Sequence, residues 1–375
     1  MNNTNNSKPE NMMPLPATID QPTREQQLVS LEPVQNAIAS MMLLAKDDEM
    51  PGTGTWITEM REKLTAEELF RHRLVIIGFF HAILPEKGWA SFSDYLDNLE
   101  KSDPVSLRDK MLDAYAEICI ACDEEVKLAG VNWDKVLSSS DAYVDFLLER
   151  FGENLVEVDM ESKAYEYVID PPTMQKLIVD HLRWFWNVHL SKEWTRTEPL
   201  LRESVKAFQN ANLNNMSRLE AARYITGQDL EEEKWSRTLG HADQVVFMPN
   251  PHIGPYVTRM YCNDNVVIVF GARQPEDASV RIPELDRADI VARMSALADD
   301  TRLRILQMIA ESEELRSQDI MEEVGLSQPS VSRYLTQLTA TGYLQERRVN
   351  GSKVYALNRD RIEKTLKAVH KFLLG

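Results

Sequence analysis

Ser327-Gln328-Pro329-Ser330-Val331-Ser332-Arg333-Tyr334-Leu335 has the pattern of a capped amphipathic helix and organises the last quarter of this chain. It follows Gly325-Leu326, a tight break. Ser327 suits an N-cap, because its hydroxyl can accept from an orphan backbone N–H. Pro329 falls in the first turn, where a missing N–H costs little. Val331, Leu335 and Leu338 recur at i, i+4 and i+7 and so share one buried face. Gln328, Ser330, Arg333 and Gln337 fall mainly on other faces. Their short or forked hydrogen-bonding side chains are of the types that pair with base edges, and Ser332 joins them as a candidate contact. A shorter helix over about 317–324, capped by Ser317 and turning Ile320 and Val324 inward, precedes the stretch. Two helices joined by a short glycine-containing turn predict a helix-turn-helix.

Outward from that pair the pattern changes period. Residues 343–349 and 353–357 alternate apolar and polar side chains, and Asn350-Gly351 between them is a strong hairpin turn. Arg347, Arg348 and Lys353 cluster about the turn, so the hairpin reads as a basic wing able to lie along phosphates. Cap, break, period and wing agree with one another, which is the condition for a locally consistent sequence.

Charge divides the chain in the same way. The whole carries −17. Residues 327–375 hold nine Lys or Arg against three Asp or Glu, whereas 288–326 hold four against nine. The 287 residues before them carry −18. A basic face on an acidic body still attracts phosphate locally, because charges beyond roughly 10 Å are largely screened near physiological salt. The acidic body is expected to weaken binding to random duplex and leave base readout relatively more important.

The segments Leu297-Ala298-Asp299-Asp300-Thr301-Arg302-Leu303-Arg304-Ile305-Leu306, 324–335 and Gly342-Tyr343-Leu344, in this order and spacing, resemble the winged helix-turn-helix of the ArsR family of bacterial transcription regulators. The resemblance covers about 288–375. It implies a homodimer on an imperfect palindrome of double-stranded DNA, most often a repressor released by a ligand. It implies too that the last helix, with Ile362, Leu366, Val369 and Leu373, and the helix bearing Ile290, Met294 and Leu297 build the dimer interface. Two departures matter. The stretch Gln318-Asp319-Ile320-Met321-Glu322-Glu323 lacks the cysteine pair of metal-sensing members. The last helix offers only Asp360, Glu363 and His370, too few soft ligands for zinc. No metal and no cofactor is expected.

A winged helix needs fewer than a hundred residues, and 375 residues predict two or three domains. Residues 1–27, rich in Asn, Pro, Ser and Gln, read as a disordered tail without a secretory signal. Residues 28–273 read as a helical sensor or dimerisation domain. Val34, Ile38, Met41 and Met42 mark one helical face, and Thr65 with Glu68 forms a capping box. Further helices are predicted near 106–125, 141–150, 172–193, 199–210 and 217–226, with a break at Pro199. Strands at 243–248, 256–261 and 266–270 predict a small antiparallel sheet spanning 243–272. Residues 274–287 read as a linker, and 288–375 as the reader. The fold class is mainly α: a helical N-terminal domain with a small antiparallel β-sheet, then a winged helix-turn-helix.

The front domain offers a weaker functional signal. His181, Phe185 and His189 lie along one side of a helix with Trp184 beside them, and His252 sits in a Pro/Gly loop. Aromatic walls with a few polar groups suit a small-molecule pocket, which makes these five the candidate ligand residues. Together with the segments His252-Ile253-Gly254-Pro255-Tyr256 and 266–272, this stretch is similar to an uncharacterised helical domain that precedes the winged helix in some long ArsR-type regulators. Cys119 and Cys122, three apart on a predicted helix, read as core thiols kept reduced in a cytoplasmic protein, with a redox pair or half a metal site as the alternative. The longest apolar stretch, 74–84, is too short for a bilayer, which takes about 20 residues. No phosphate-cradling loop, His-Glu-x-x-His or nucleophile elbow is present, so no enzyme is expected. The reading is a DNA-binding repressor with a small-molecule effector; the alternative is an adaptor whose winged helix docks a protein.

Overall fold

The computed structural model describes residues 27–374 apart from 47–49, 51, 118–129, 210, 241, 263–264, 277, 279 and 350. The tail 1–26, the cysteines 119 and 122 and the turn residue 350 lie outside the described residues. Most of the described chain is helical, with two small sheets.

Four strands form the first sheet: β1 (Gln27–Val29), β2 (Gln244–Asn250), β3 (Val257–Cys262) and β4 (Asn265–Gly271), in the order β1-β2-β4-β3. The β3–β4 hairpin is antiparallel, as its loop requires. β2 runs parallel to both β1 and β4, so the sheet is mixed. The physical reason is burial on both faces. Val246, Met248, Val267 and Val269 enter one core with the helices of the front domain. Val245, Phe247, Val266, Ile268 and Phe270 enter a second core with Phe208, Ile225 and Trp235. A strand covered on both sides reads as a continuous apolar run, the habit of parallel strands. Gln27, expected in the tail, is instead the first residue of β1, and its side-chain amide donates to the carbonyls of Leu213 and Met216.

Around the sheet the helices follow the predicted periodicities, with differences that have local causes. The helix Pro33–Ala45 buries nearly every residue against β2 and its neighbours. The capping box at Thr65 is complete: Glu68 N donates to Thr65 Oγ1, and Thr65 N donates to Glu68 Oε2. The apolar stretch 74–84 is a π-helical turn, Leu74–Gly78, followed by the short helix Phe80–Ile83. Pro171–Phe185 passes through a second π-helical turn, Trp186–Leu190, directly into Ser191–Phe208. Pro199 therefore lies inside a helix and does not break it. Its missing N–H and ring clash are costly, but burial of Glu193, Thr197, Leu201 and Ser204 along the same helix outweighs the local preference.

Pro283–Leu297, Asp300–Ser312, Ser317–Val324, Gln328–Ala340 and Arg359–Leu374 make the C-terminal helices. The first begins inside the stretch expected as a linker. That stretch is tied down: Gln274 Nε2 donates to Asp286 Oδ1 (2.7 Å), and Ile282 N donates to Gln274 Oε1 (3.1 Å). The second sheet holds β5 (Glu314–Arg316), β6 (Leu344–Val349) and β7 (Ser352–Leu357) in the antiparallel order β5-β7-β6. β5, a three-residue strand with no periodic signal, was not predicted.

Candidate nucleic-acid interface

The two-helix turn is built as the sequence predicts. Gly325 ends the helix Ser317–Val324 at φ 71°, a left-handed conformation glycine adopts without Cβ strain. The next helix starts at Gln328 and inserts Val331, Leu335 and Leu338 among Ile305, Ile309, Ile320, Tyr343 and Tyr355. On its opposite side Gln328, Ser332 and Arg333 are exposed, and Ser330 is half-buried. Arg333 makes no ion pair among the described residues. Thr336, exposed one turn beyond Ser332, extends the same face and was missed for lack of a charged or forked side chain.

Three local expectations differ. Ser327 occupies the N-cap position without a cap bond; its hydroxyl lies 3.0 Å from that of Ser330. Ser317 is the first helical residue of its helix, and the entry is closed by Asp319, whose carboxylate accepts from Arg316 N (3.2 Å). Gln337, expected as a base contact, is fully buried. Its Oε1 accepts from Arg302 Nη1 at 2.7 Å, so it braces the core and faces away from the exposed side.

Arg302 is the residue that sequence reasoning overlooked. It is buried, and beyond Gln337 it donates through Nε to the Ala296 carbonyl and through Nη2 to the Ser295 carbonyl, both at 2.9 Å. Asp299 caps its helix by accepting from Arg302 N (2.9 Å). Arg302 thus joins the end of one helix, the start of the next and the centre of Gln328–Ala340. The only sequence signal was its place in the Asp-Asp-Thr-Arg run.

The wing is cationic along one edge. Arg348 and Lys353 face each other across β6 and β7, and Arg347 is opposite Val354. Like charges directly opposite are destabilising unless anions offset them. Here each cation has a carboxylate: Lys353 with Glu346 (2.8 Å), Arg348 with Glu231 of the front domain (4.0 Å), and Arg347 with Glu314 of β5. All three cations are exposed. Gly351 supplies the turn at φ 79°.

The five front-domain candidates are only partly brought together. His181 and Phe185 are buried beside His72, with His72 Nδ1 and His181 Nε2 3.1 Å apart. Trp184 and His189 are half-buried against the same rings. His252 is buried elsewhere on the same core, stacked on Trp56. Its Nδ1 lies 2.9 Å from Ser40 Oγ and its Nε2 2.9 Å from Glu193 Oε1. Burial lowers the His252 pKa, although Glu193 opposes that. Burial alone would raise Glu193, but hydrogen bonds from His252 and Arg196 hold it at about 2. None of the five lines either of the two cavities described in this structure.

Comparison with known proteins adds to this geometry. Residues 299–346 match the family model described as bacterial regulatory protein, arsR family. Over 59 residues the chain is 46% identical to the arsenic resistance transcriptional regulator ArsR1 of Pseudomonas putida, covering 16% of this chain and 45% of that one. Over 75 residues it is 40% identical to a probable mercury resistance operon repressor of Streptomyces lividans, covering 20% and 59%. The chain thus spans about half the length of these curated relatives. Among solved structures, NolR from Sinorhizobium fredii aligns at 29% identity over 25% of this chain and 94% of that one, with a TM-score of 0.21. Among the described residues no helix is long and apolar enough to cross a membrane.

Proposed function

We propose that the chain is a sequence-specific DNA-binding transcription regulator, a reading supported by the match of residues 299–346 to the model of the arsR family of bacterial regulatory proteins. One observation carries the reading: the helix Gln328–Ala340 is locked by its apolar side and presents a small, polar, cationic side beside a basic hairpin. Laid in a major groove, Gln328, Ser330, Ser332 and Arg333 meet base edges, while Arg347, Arg348 and Lys353 hold phosphates. Of the carboxylates now beside those three cations, Glu231 and Glu314 are exposed and Glu346 is half-buried. Each such pair is worth at most about 1 kcal/mol, so exchange for phosphate is inexpensive.

The regulator acts as a dimeric repressor on an imperfect palindrome in this reading. The mercury operon relative is named a repressor, and Leu366 (54% exposed), Leu373 (70%) and Val291 (61%) leave apolar surface on the last helix and on Pro283–Leu297 that a second copy would cover. The front domain supplies the response to a small molecule.

Selection of bound duplexes from a randomised pool by the full-length protein tests the function. An enriched imperfect palindrome, with half-sites about 34–36 Å apart, is expected. A pool that stays random over successive rounds would instead favour the reading in which the winged helix docks a protein.

A further inference from the structure

Between the front domain and the winged helix lies a cavity of about 1000 Å3. Both sides contribute to its walls: Tyr224, Trp235 and Tyr256 from the front, and Thr336, Arg348 and Lys364 from the back. Its floor carries more positive charge than its neighbours balance.

Arg273, two residues past the end of β4, has a side chain only 7% exposed, and its Nε has no hydrogen-bond partner. Its guanidinium lies over Gly227, where a Cβ would come within 1.3 Å of Nη1, so only glycine leaves it room. Arg361 (12% exposed) arrives from the last helix and donates to the Gly227 carbonyl. Arg293 flanks them, 10% exposed. One carboxylate serves the whole group: Glu276 is 3.0 Å from Arg361, 3.7 Å from Arg273, 3.7 Å from Lys364 and 3.9 Å from Arg293. Asp289 adds a second, on Arg293 at 2.7 Å. Four cations therefore share two carboxylates among the described residues. The other charges around the cavity pair one to one, Arg223 with Asp229, Arg348 with Glu231 and Lys353 with Glu346, while Asp360 is exposed at the rim. Burial, with repulsion from Arg293, lowers the pKa of both Arg273 and Arg361, although Glu276 and Asp289 oppose the shift.

A buried cation short of partners is costly to keep, and an incoming anion offsets that cost. Guanidinium forks match the paired oxygens of a carboxylate or phosphate. The aromatic wall above them suits an apolar or aromatic body. Arg273 and Glu276, both on the cavity wall, come from the segment just past the carboxyl end of β4.

We propose that this cavity binds a small organic oxyanion, a carboxylate or phosphate ester with an apolar or aromatic body, and that this anion is the effector of DNA binding. The proposal rests on the regulator reading above. Its route to the reader is short, because Arg361 and Lys364 lie on the last helix and Arg348 on the wing. An anion that binds Arg273 and Arg361 together biases how the winged helix sits on the front domain. It alters DNA affinity by the ratio of its own affinities for the free and DNA-bound forms.

Calorimetric titration of the full-length protein with benzoate, adenosine monophosphate and inorganic phosphate, at constant ionic strength against chloride, tests the site and separates the two oxyanion sources. Saturable binding of at least one oxyanion, absent with chloride, is expected. Glu276→Gln removes the competing carboxylate and is expected to tighten that binding by about fivefold or more, whereas Lys364→Gln weakens it by about threefold. Both residues are half-exposed or more, so these variants keep the test independent of the folding cost of Arg273→Gln. Binding no better than chloride's, or a Glu276→Gln variant that binds no tighter, overturns the site. An oxyanion that saturates the cavity without shifting affinity for the selected operator overturns the effector role. Loss of operator binding by the wild type overturns the regulator reading, while the calorimetry still decides the site.

Discussion

At the scale of single residues, buried polar groups set the terms. Arg302 satisfies two carbonyls and Gln337 at once, so Arg302→Met leaves two buried acceptors and one part-buried acceptor unpaired. A loss of about 3 kcal/mol is expected in denaturant unfolding of the C-terminal region, larger than an exposed Arg333→Ala would give. An unchanged midpoint would show that Arg302 is not the brace its bonds indicate. His72 and His181 make a second case. His72 donates to the Met41 carbonyl through Nε2 (2.9 Å), leaving its Nδ1 to accept from His181 Nε2. Burial holds His72 at about 4 and His181 at about 3, against the ordinary 6.5. The unfolded chain therefore binds more protons below pH 6.5, so this contribution is present in full above 6.5 and is lost as pH falls toward 4. Thermal melts should show a lower Tm at pH 5 than at pH 7.5; equal values would mean that the pair is solvated. The Leu-rich spacing of a helix announces its core side, but nothing local to Gln337 or His181 in the sequence announces burial, since each is buried by partners far along the chain.

Elements divide the work of recognition. On the proposed reading, Gln328–Ala340 carries the side chains that distinguish bases, and the wing carries those that hold phosphate. Arg333→Ala should cost about 1–3 kcal/mol of discrimination between operator and random duplex, while Lys353→Ala should weaken both alike and reduce the salt slope by about one. Gel shifts across a salt series measure both. Equal loss on both duplexes for both variants would erase the division of labour. The same elements show what was legible beforehand. Gly325, Pro329, Gly351 and the Val331-Leu335-Leu338 spacing act within a few residues of themselves, and the helices and hairpin formed as predicted. The caps were harder: Ser317 and Ser327 were read as caps from residue type alone, but Asp319 closes one helix, and the Ser327 hydroxyl turns to Ser330. The front helices were legible in the same sense at the Thr65 capping box. They were not legible at Pro199, where packing outweighs a strong local breaker, or at the two π-helical turns.

For the whole molecule, assembly and communication become the questions. The exposed Leu366, Leu373 and Val291 predict a dimer through the last helix. Leu373→Asp is expected to shift sedimentation at micromolar concentration from dimer to monomer and to lower operator affinity by at least about tenfold, since a half-site alone then remains. A wild-type monomer would sink the arrangement. The amino-acid order alone was enough for the helix-turn-helix and its hairpin, the helical character of the front and the partition of charge, because capping, periodicity and turn chemistry act between near neighbours. Long-range packing was needed to pair Gln27 beside Val245, to make the sheet mixed and buried on both faces, to turn Gln337 inward to Arg302, and to bring Arg273, Arg293, Arg361 and Lys364 together around Glu276. Each depends on contacts between residues distant in sequence, where free energy is set by which surfaces meet and no local period records the partner.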